Sequence, residues 1–313
     1  MKRCLNPRSI LRSLSALLLL CFISITNIPQ AEAQESAAQA QSPKVKDLLP
    51  EWSFTKGIEG PAIDAAGNLY AVNFEKQGTI GVVNLQDGAG VSGASGVASL
   101  YVTLPEGSVG NGIRFDKKGF MYIADYTGHN VLKVDPSDRS ISVFAHNPTM
   151  NQPNDIAICP KTENLYASDP NWKESTGKLW LINRKGEVIL LEDNMGTTNG
   201  IEVSPDGKRL YVNESVQRKI WVYDIKRDGT VENKKLFMTF TDFGMDGMRC
   251  DSAGNLYVTR HGKGTLLIIS PRAVTLQEIS LKGKLCSNVV LSLDEKRAYI
   301  TMADRGCFEV VEF

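Results

Sequence analysis

The sequence predicts an all-β fold: a six-bladed β-propeller with four-stranded blades, closed by pairing of the N- and C-terminal strands. Three observations predict it. One pattern recurs six times, beginning at Glu59, Asn111, Asn154, Asn199, Asp246 and Ser287, at separations of 52, 43, 45, 47 and 41 residues. That period suits one blade of four strands. Each copy reads as a β-hairpin, a short apolar strand, a turn and a second strand rich in Leu, Tyr and Val. Helical periodicity of any length is missing after the first 33 residues.

Taken in order, the chain opens with Lys2, Arg3, Arg8 and Arg12 and the apolar run Ala16 to Ile25, followed by Ala31-Glu32-Ala33. This is the pattern of an export leader over residues 1–33, and the run is shorter than the ~20 apolar residues a membrane span needs. The expected destination is the periplasm or the medium. Residues 34–49 are small and polar without period and read as a flexible tail. The propeller is expected over 50–313. In its first copy Asp64-Ala65-Ala66-Gly67 forms the hairpin turn, and Asp251-Ser252-Ala253-Gly254 does so in the fifth. In the second copy, the runs from Asn130 and Ser140 complete the blade. The sixth copy is one strand short, since GCFEVVEF ends the chain, and EWSFT from Glu51 is expected to supply the missing strand. Such a closure removes an exposed sheet edge.

Composition excludes some functions. The chain carries 35 Lys and Arg against 35 Asp and Glu, and loss of the leader tips this toward a small acidic excess. No nucleic-acid partner is expected, since that would want a basic face, and no later segment is a membrane span. Cys159, Cys250, Cys286 and Cys307 follow the leader with no C-x-x-C spacing, against a thiolate zinc site. An exported chain can pair four cysteines in three ways, but buried free thiols are expected for at least two.

The first strand of a blade lines the propeller axis, so the starts of the six copies meet at one end of the channel. All six of those side chains carry an oxygen. Hard cations such as calcium take carboxylate and carbonyl oxygens. Tight turns account for Asn-Gly and Asp-Gly at these points, but Glu59 has poor turn character. The reading is one oxygen-coordinated divalent ion at this end of the channel, Ca2+ (with Mg2+, Mn2+ or Zn2+ as alternatives), with Glu59, Asn111, Asn154, Asn199, Asp246 and Ser287 all offering oxygen. The second strand returns to the same face, which places Tyr126, Asp169, Trp172, Arg260 and His261, with Asp125, Asn213, Glu214 and Asp304, at the rim. Together with Asn111, Arg114 and Ser287 of the inner strands they are expected to line a polar substrate pocket with aromatic walls.

These residues resemble the SMP-30/gluconolactonase/LRE-like family of propellers, with its diisopropyl-fluorophosphatase-like and Drp35-like relatives. The resemblance runs from about Glu51 to Phe313. It is carried by EGP at Glu59, PND at Pro153, NGIEVSPDGKRLYV at Asn199, DGM at Asp246 and SNVV at Ser287. It implies that Glu59, Asn199 and Asp246 hold the metal, with Asn154 as a further ligand or a substrate contact. It also implies a lactonase, an ester-bond hydrolase in which calcium polarises the carbonyl of a small ester or lactone, with Asp246 and Asn199 catalytic. Asp246 or His261 then moves the proton. Sugar-lactonase members often carry Arg where Gln152 stands here, and Arg114 or Arg260 would have to compensate. Two other readings fit the same architecture: a non-catalytic binding propeller with a structural ion, and a strictosidine-synthase-like enzyme.

Overall fold

The computed structural model describes residues 42–85 and 97–313. The leader and most of the tail lie outside the described residues. Those residues form 24 strands and no helix, in six four-stranded antiparallel sheets. Blades 1 to 5 take their strands consecutively, over residues 59–103, 110–146, 156–195, 198–239 and 248–280. Blade 6 takes three from residues 286–312 and its fourth from the N-terminal side. This is the predicted six-bladed propeller.

The repeated turn chemistry explains the hairpins. The Asp64 carboxylate accepts from the amides of Ala66 and Asn68, from the Asn68 side chain and from the Tyr70 hydroxyl. Asp251 repeats this with Asn255 and Tyr257 in blade 5. The D-x-x-G-N-L-Y sequence is therefore a turn in which the acid fixes the backbone and the tyrosine two strand positions on seals it. Gly254 closes its copy at φ 83, a conformation that favours glycine.

Between blades, alternate side chains of neighbouring sheets interlock. Val72, Ile80, Val102, Ile113, Ile123 and Leu132 form one such core between blades 1 and 2. Burying each of these aliphatic side chains contributes about 1.5–3 kcal/mol. Cys159, Cys250, Cys286 and Cys307 are free thiols, and all but Cys250 are buried.

The closing strand departs from expectation. It is Lys44–Asp47, which pairs antiparallel with Cys307–Glu312 in the register Lys44 to Glu312 and Asp47 to Glu309. The segment from Glu51 is a loop: Trp52 has φ 63, and the amides of Trp52 and Phe54 donate to the carbonyls of Arg305 and Gly306. Four residues of the supposed tail are thus part of the sheet. In Lys44-Val45-Lys46-Asp47 only Val45 needs to face the core, where it packs beside Val311. The other side chains close the ring electrostatically. Arg305 pairs with Asp47 at 2.7 Å, Glu51 at 2.8 Å and Glu309 at 2.6 Å, and Lys282 reaches Asp47 at 2.7 Å. Burial alone would raise the Asp47 carboxyl, but Arg305 and Lys282 together hold it below its usual range.

Candidate active site at the propeller axis

Four of the inner strands are irregular where the axial residues sit. Their pairing with the second strand shifts between Glu59 and Ala62, between Gly110 and Ile113, between Thr198 and Ile201, and between Cys286 and Asn288. A bulge re-aims side chains, and here it turns successive residues into the channel. In blades 3 and 5 the ladder begins only at Ile156 and Met248, so Asn154 and Asp246 sit just ahead of it. They are tied in by hydrogen bonds from their amides to the carbonyls of Ser168 and Thr259.

Tight crowding accounts for glycine after the axial residue. A Cβ on Gly60 would lie 1.9 Å from the carbonyl oxygen of Asn111 in blade 2, and one on Gly247 would lie 1.9 Å from the Asn288 side chain in blade 6. These glycines let neighbouring inner strands touch. Gly247 also donates to the Ser287 carbonyl at 2.7 Å.

At the channel end the four expected ligands have a distinctive chemistry. Asn154 Oδ1 and Asn199 Oδ1 are buried with no hydrogen-bond partner among the described residues. Buried acceptors are almost always satisfied. The Asn199 amide nitrogen, by contrast, donates to Ser215 Oγ at 3.2 Å, which fixes which end of the amide faces the site. Asp246 is raised well above the usual carboxylate range by burial and by the charge of Glu59, and a hydrogen bond from Asn199 opposes this. Glu59 is pushed up to about 7 by burial and then by Asp155, against hydrogen bonds from Gly60 and Asn288. Among the described residues neither Glu59 nor Asp246 has an ion pair to Lys or Arg.

Below this level lies a buried layer that sequence reasoning missed. Arg114 bridges Asp155 at 3.3 Å and Glu202 at 3.2 Å, and Arg249 lies 3.7 Å from Glu202 and 4.0 Å from Asp155. Burial and the nearby Arg114 lower Arg249 to about 10. Asn288 links the two layers, donating to Glu59 at 3.0 Å and to Asp155 at 3.4 Å. Two guanidinia thus lie among four carboxylates (Glu59, Asp155, Glu202, Asp246), which when all ionised leave two negative charges for one divalent cation to balance. Among the described residues no three His, Cys, Asp or Glu side chains gather as a metal-binding group. The donor set is instead two carboxylates with two amide oxygens, which fits a hard, oxygen-seeking ion.

The structure separates the expected pocket residues. His261 stays at the mouth, partly exposed, with Nδ1 3.6 Å from Asp246 Oδ2 and 3.3 Å from the Cys286 carbonyl. Tyr126 of blade 2 and Trp172 of blade 3 are neighbours, with burial raising the Tyr126 hydroxyl and Trp172 opposing this. Asn111 remains at the ring, partly exposed. The other four have different roles. Arg114 lies in the lower layer, spent on Asp155 and Glu202. Asp169 accepts from the amides of Asn151 at 2.9 Å and Gln152 at 2.6 Å and from Trp180 Nε1 at 2.9 Å. Arg260 is buried, paired with Asp242 at 2.7 Å and stacked 3.9 Å over Phe240. Ser287 donates to the Ile58 carbonyl at 2.9 Å.

Asp169 and Arg260 share a physical reason. In blades 2 to 6 a residue at or near the end of the second strand clasps the loop that enters its own blade: Asp125 takes the Val109 amide, Glu214 the Gly196 amide and Asp304 the Lys284 amide, while Arg260 donates to the Asp242 carbonyl. These side chains turn into the backbone and away from the cleft.

Residues 58–304 match the family described as SMP-30/Gluconolactonase/LRE-like region. A gluconolactonase from Zymomonas mobilis is 30% identical over 194 residues, 54% of each chain. The diisopropyl-fluorophosphatase of Loligo vulgaris is 26% identical over 246 residues, 69% of this chain and 75% of that one. The chain thus spans about half the length of the first of these relatives. Among solved structures, a calcium-binding protein, regucalcin, from Agrobacterium tumefaciens superposes with a TM-score of 0.72 at 19% identity, covering 86% of this chain and 93% of that one. With the propeller, the axial residues and a family match over most of its length together, the chain belongs to the SMP-30/gluconolactonase/LRE-like family.

Proposed function

We propose that this protein is a calcium-dependent hydrolase that opens lactones and related small esters, with Glu59, Asn154, Asn199 and Asp246 as the ligands of the ion. The observation that carries this reading is the pair of buried, partnerless amide oxygens on Asn154 and Asn199 together with two carboxylates that have no Lys or Arg ion pair among the described residues. Leaving such groups buried and unmatched costs a few kcal/mol, which a dication at the same point would offset. The relatives named gluconolactonase and diisopropyl-fluorophosphatase support hydrolysis as the reaction class.

Bound there, the ion supplies a Lewis acid for the ester carbonyl and steadies negative charge on its oxygen. The protein's own groups do the rest. Asn213 holds the Asp246 main-chain carbonyl at 2.6 Å, fixing the strand from which the carboxylate projects. The Asp246 carboxylate is placed to accept the proton that an attacking water loses, and His261, 3.6 Å away at the mouth, to carry it to solvent. Tyr126 and Trp172 wall one side of the cleft. We also propose export through the leader over 1–33, which rests on its basic start and apolar run.

The test is lactone hydrolysis followed by acid release, with calcium, after chelation, and in Asp246→Asn and Asn199→Ala. Turnover that needs the ion and falls by at least a hundredfold in both folded variants supports the reading. Calcium-raised thermal stability with no turnover of any lactone would instead favour a binding propeller.

A further inference from the structure

Resting on the lactonase reading, we propose that the cleft takes lactones bearing an alkyl or aryl substituent and discriminates against polyhydroxylated ones. The case begins with what the mouth leaves facing water. The loops at the axial end of blades 3 to 6 present Trp172 (39% exposed), Val216 (50%), Phe243 (50%) and Leu285 (37%). Each is tied to a residue of the site. Trp172 neighbours Tyr126. Val216 follows Ser215, which accepts from Asn199. Phe243 packs against Gly262, the neighbour of His261. Leu285 precedes Cys286, whose carbonyl meets His261 Nδ1.

Several polar side chains beside these residues are spent within the protein. The Gln217 amide accepts from Thr197 N at 2.8 Å and donates to the Ser175 carbonyl at 2.9 Å. Arg260 is held by Asp242 and Phe240, Lys263 by Asp242 and Glu278, and Arg114 lies below the ring. A polyol would lose its water shell at such a rim without gaining bonds from these engaged groups. An apolar substituent there would instead cover surface that now faces solvent. Apolar side chains exposed on the loops next to the axial residues mark a recognition surface.

The experiment separates this inference from the hydrolase reading by measuring binding apart from turnover. Calcium-loaded protein is titrated calorimetrically with two non-hydrolysable δ-lactams, one alkyl-substituted and one polyhydroxylated, and kcat/KM is measured for the matching lactones. The alkyl lactam is expected to bind on the order of tenfold or more tightly, as a few methylenes in an apolar pocket allow. Phe243→Ser and Trp172→Ala, at exposed positions, should erase most of that preference without lowering the melting temperature. If the alkyl preference appears in binding while no lactone is turned over, the inference stands and the hydrolase reading fails. Equal binding, tighter binding of the polyol, binding of neither, or a preference untouched by both variants overturns it.

Discussion

Asn288 donates one amide to Glu59 at 3.0 Å and to Asp155 at 3.4 Å. It is the one side chain described that touches both an expected ligand and the buried ion-pair layer beneath. Its own carbonyl oxygen accepts from the Val289 amide at 2.8 Å, so the orientation of the amide is set. Glu59 is therefore aimed from below.

Asn288→Ala should fold and lose about 10–100-fold in calcium affinity, the usual consequence of removing a partner that orients a ligand. Isothermal titration calorimetry reads this directly. An unchanged affinity would mean that the bulge backbone alone places Glu59.

Proton and cation should compete at the ring. Glu59, ordinarily near 4.5, sits at about 7 in the cation-free protein because of burial and Asp155. A carboxyl raised on folding stabilises the folded state fully below its unfolded value, and this contribution is lost as pH rises through the folded value. The cation-free protein should thus lose stability between about pH 4.5 and 7, and calcium should raise its melting temperature more at pH 8 than at pH 5. Calorimetry in buffers of different ionisation enthalpy should also show proton release on calcium binding near pH 6. A calcium effect independent of pH would count against Glu59 as a ligand.

Arg114→Met leaves Asp155 and Glu202 buried with only Arg249 between them. Removing one partner of a buried pair costs about 3–5 kcal/mol. Chemical denaturation should show a loss of that size, with the far-ultraviolet spectrum of a β protein retained at low denaturant. A change under 1 kcal/mol would show that water takes over the role of the guanidinium.

His261→Ala should lower turnover by about 10²–10⁴ while calcium affinity stays within a factor of three, because the imidazole is placed for proton transfer and not as a ligand. A rate that stays near wild type would leave proton transfer to Asp246 and solvent alone.

A chain begun at residue 50 lacks Lys44–Asp47 and exposes the edge of Cys307–Glu312. It should melt at least 10 °C lower and aggregate in light scattering, since an open strand edge templates pairing. A chain begun at residue 42 should match the full chain.

The blade period, the hairpin turns and the axial position of Glu59, Asn154, Asn199 and Asp246 were legible in the sequence, because each depends on spacing that a repeat carries along the chain. Asp64 and Asp251 mark their turns through neighbours within six residues. Where a side chain points after a bulge is a tertiary property. The sixth copy aligns Ser287 with the ring, yet the shift between Cys286 and Asn288 turns Ser287 to the Ile58 carbonyl and gives Asn288 the contact with Glu59. Arg114 and Arg249 were written in copies two and five, but only closure of the ring brings them together over Glu202. The closing strand was hidden for a related reason: Lys44–Asp47 offers one apolar residue in four, and its strand character comes from the open edge of Cys307–Glu312 waiting for it. Local chemistry thus determined the blades and the oxygen-bearing ring, while long-range closure decided which of those side chains meet.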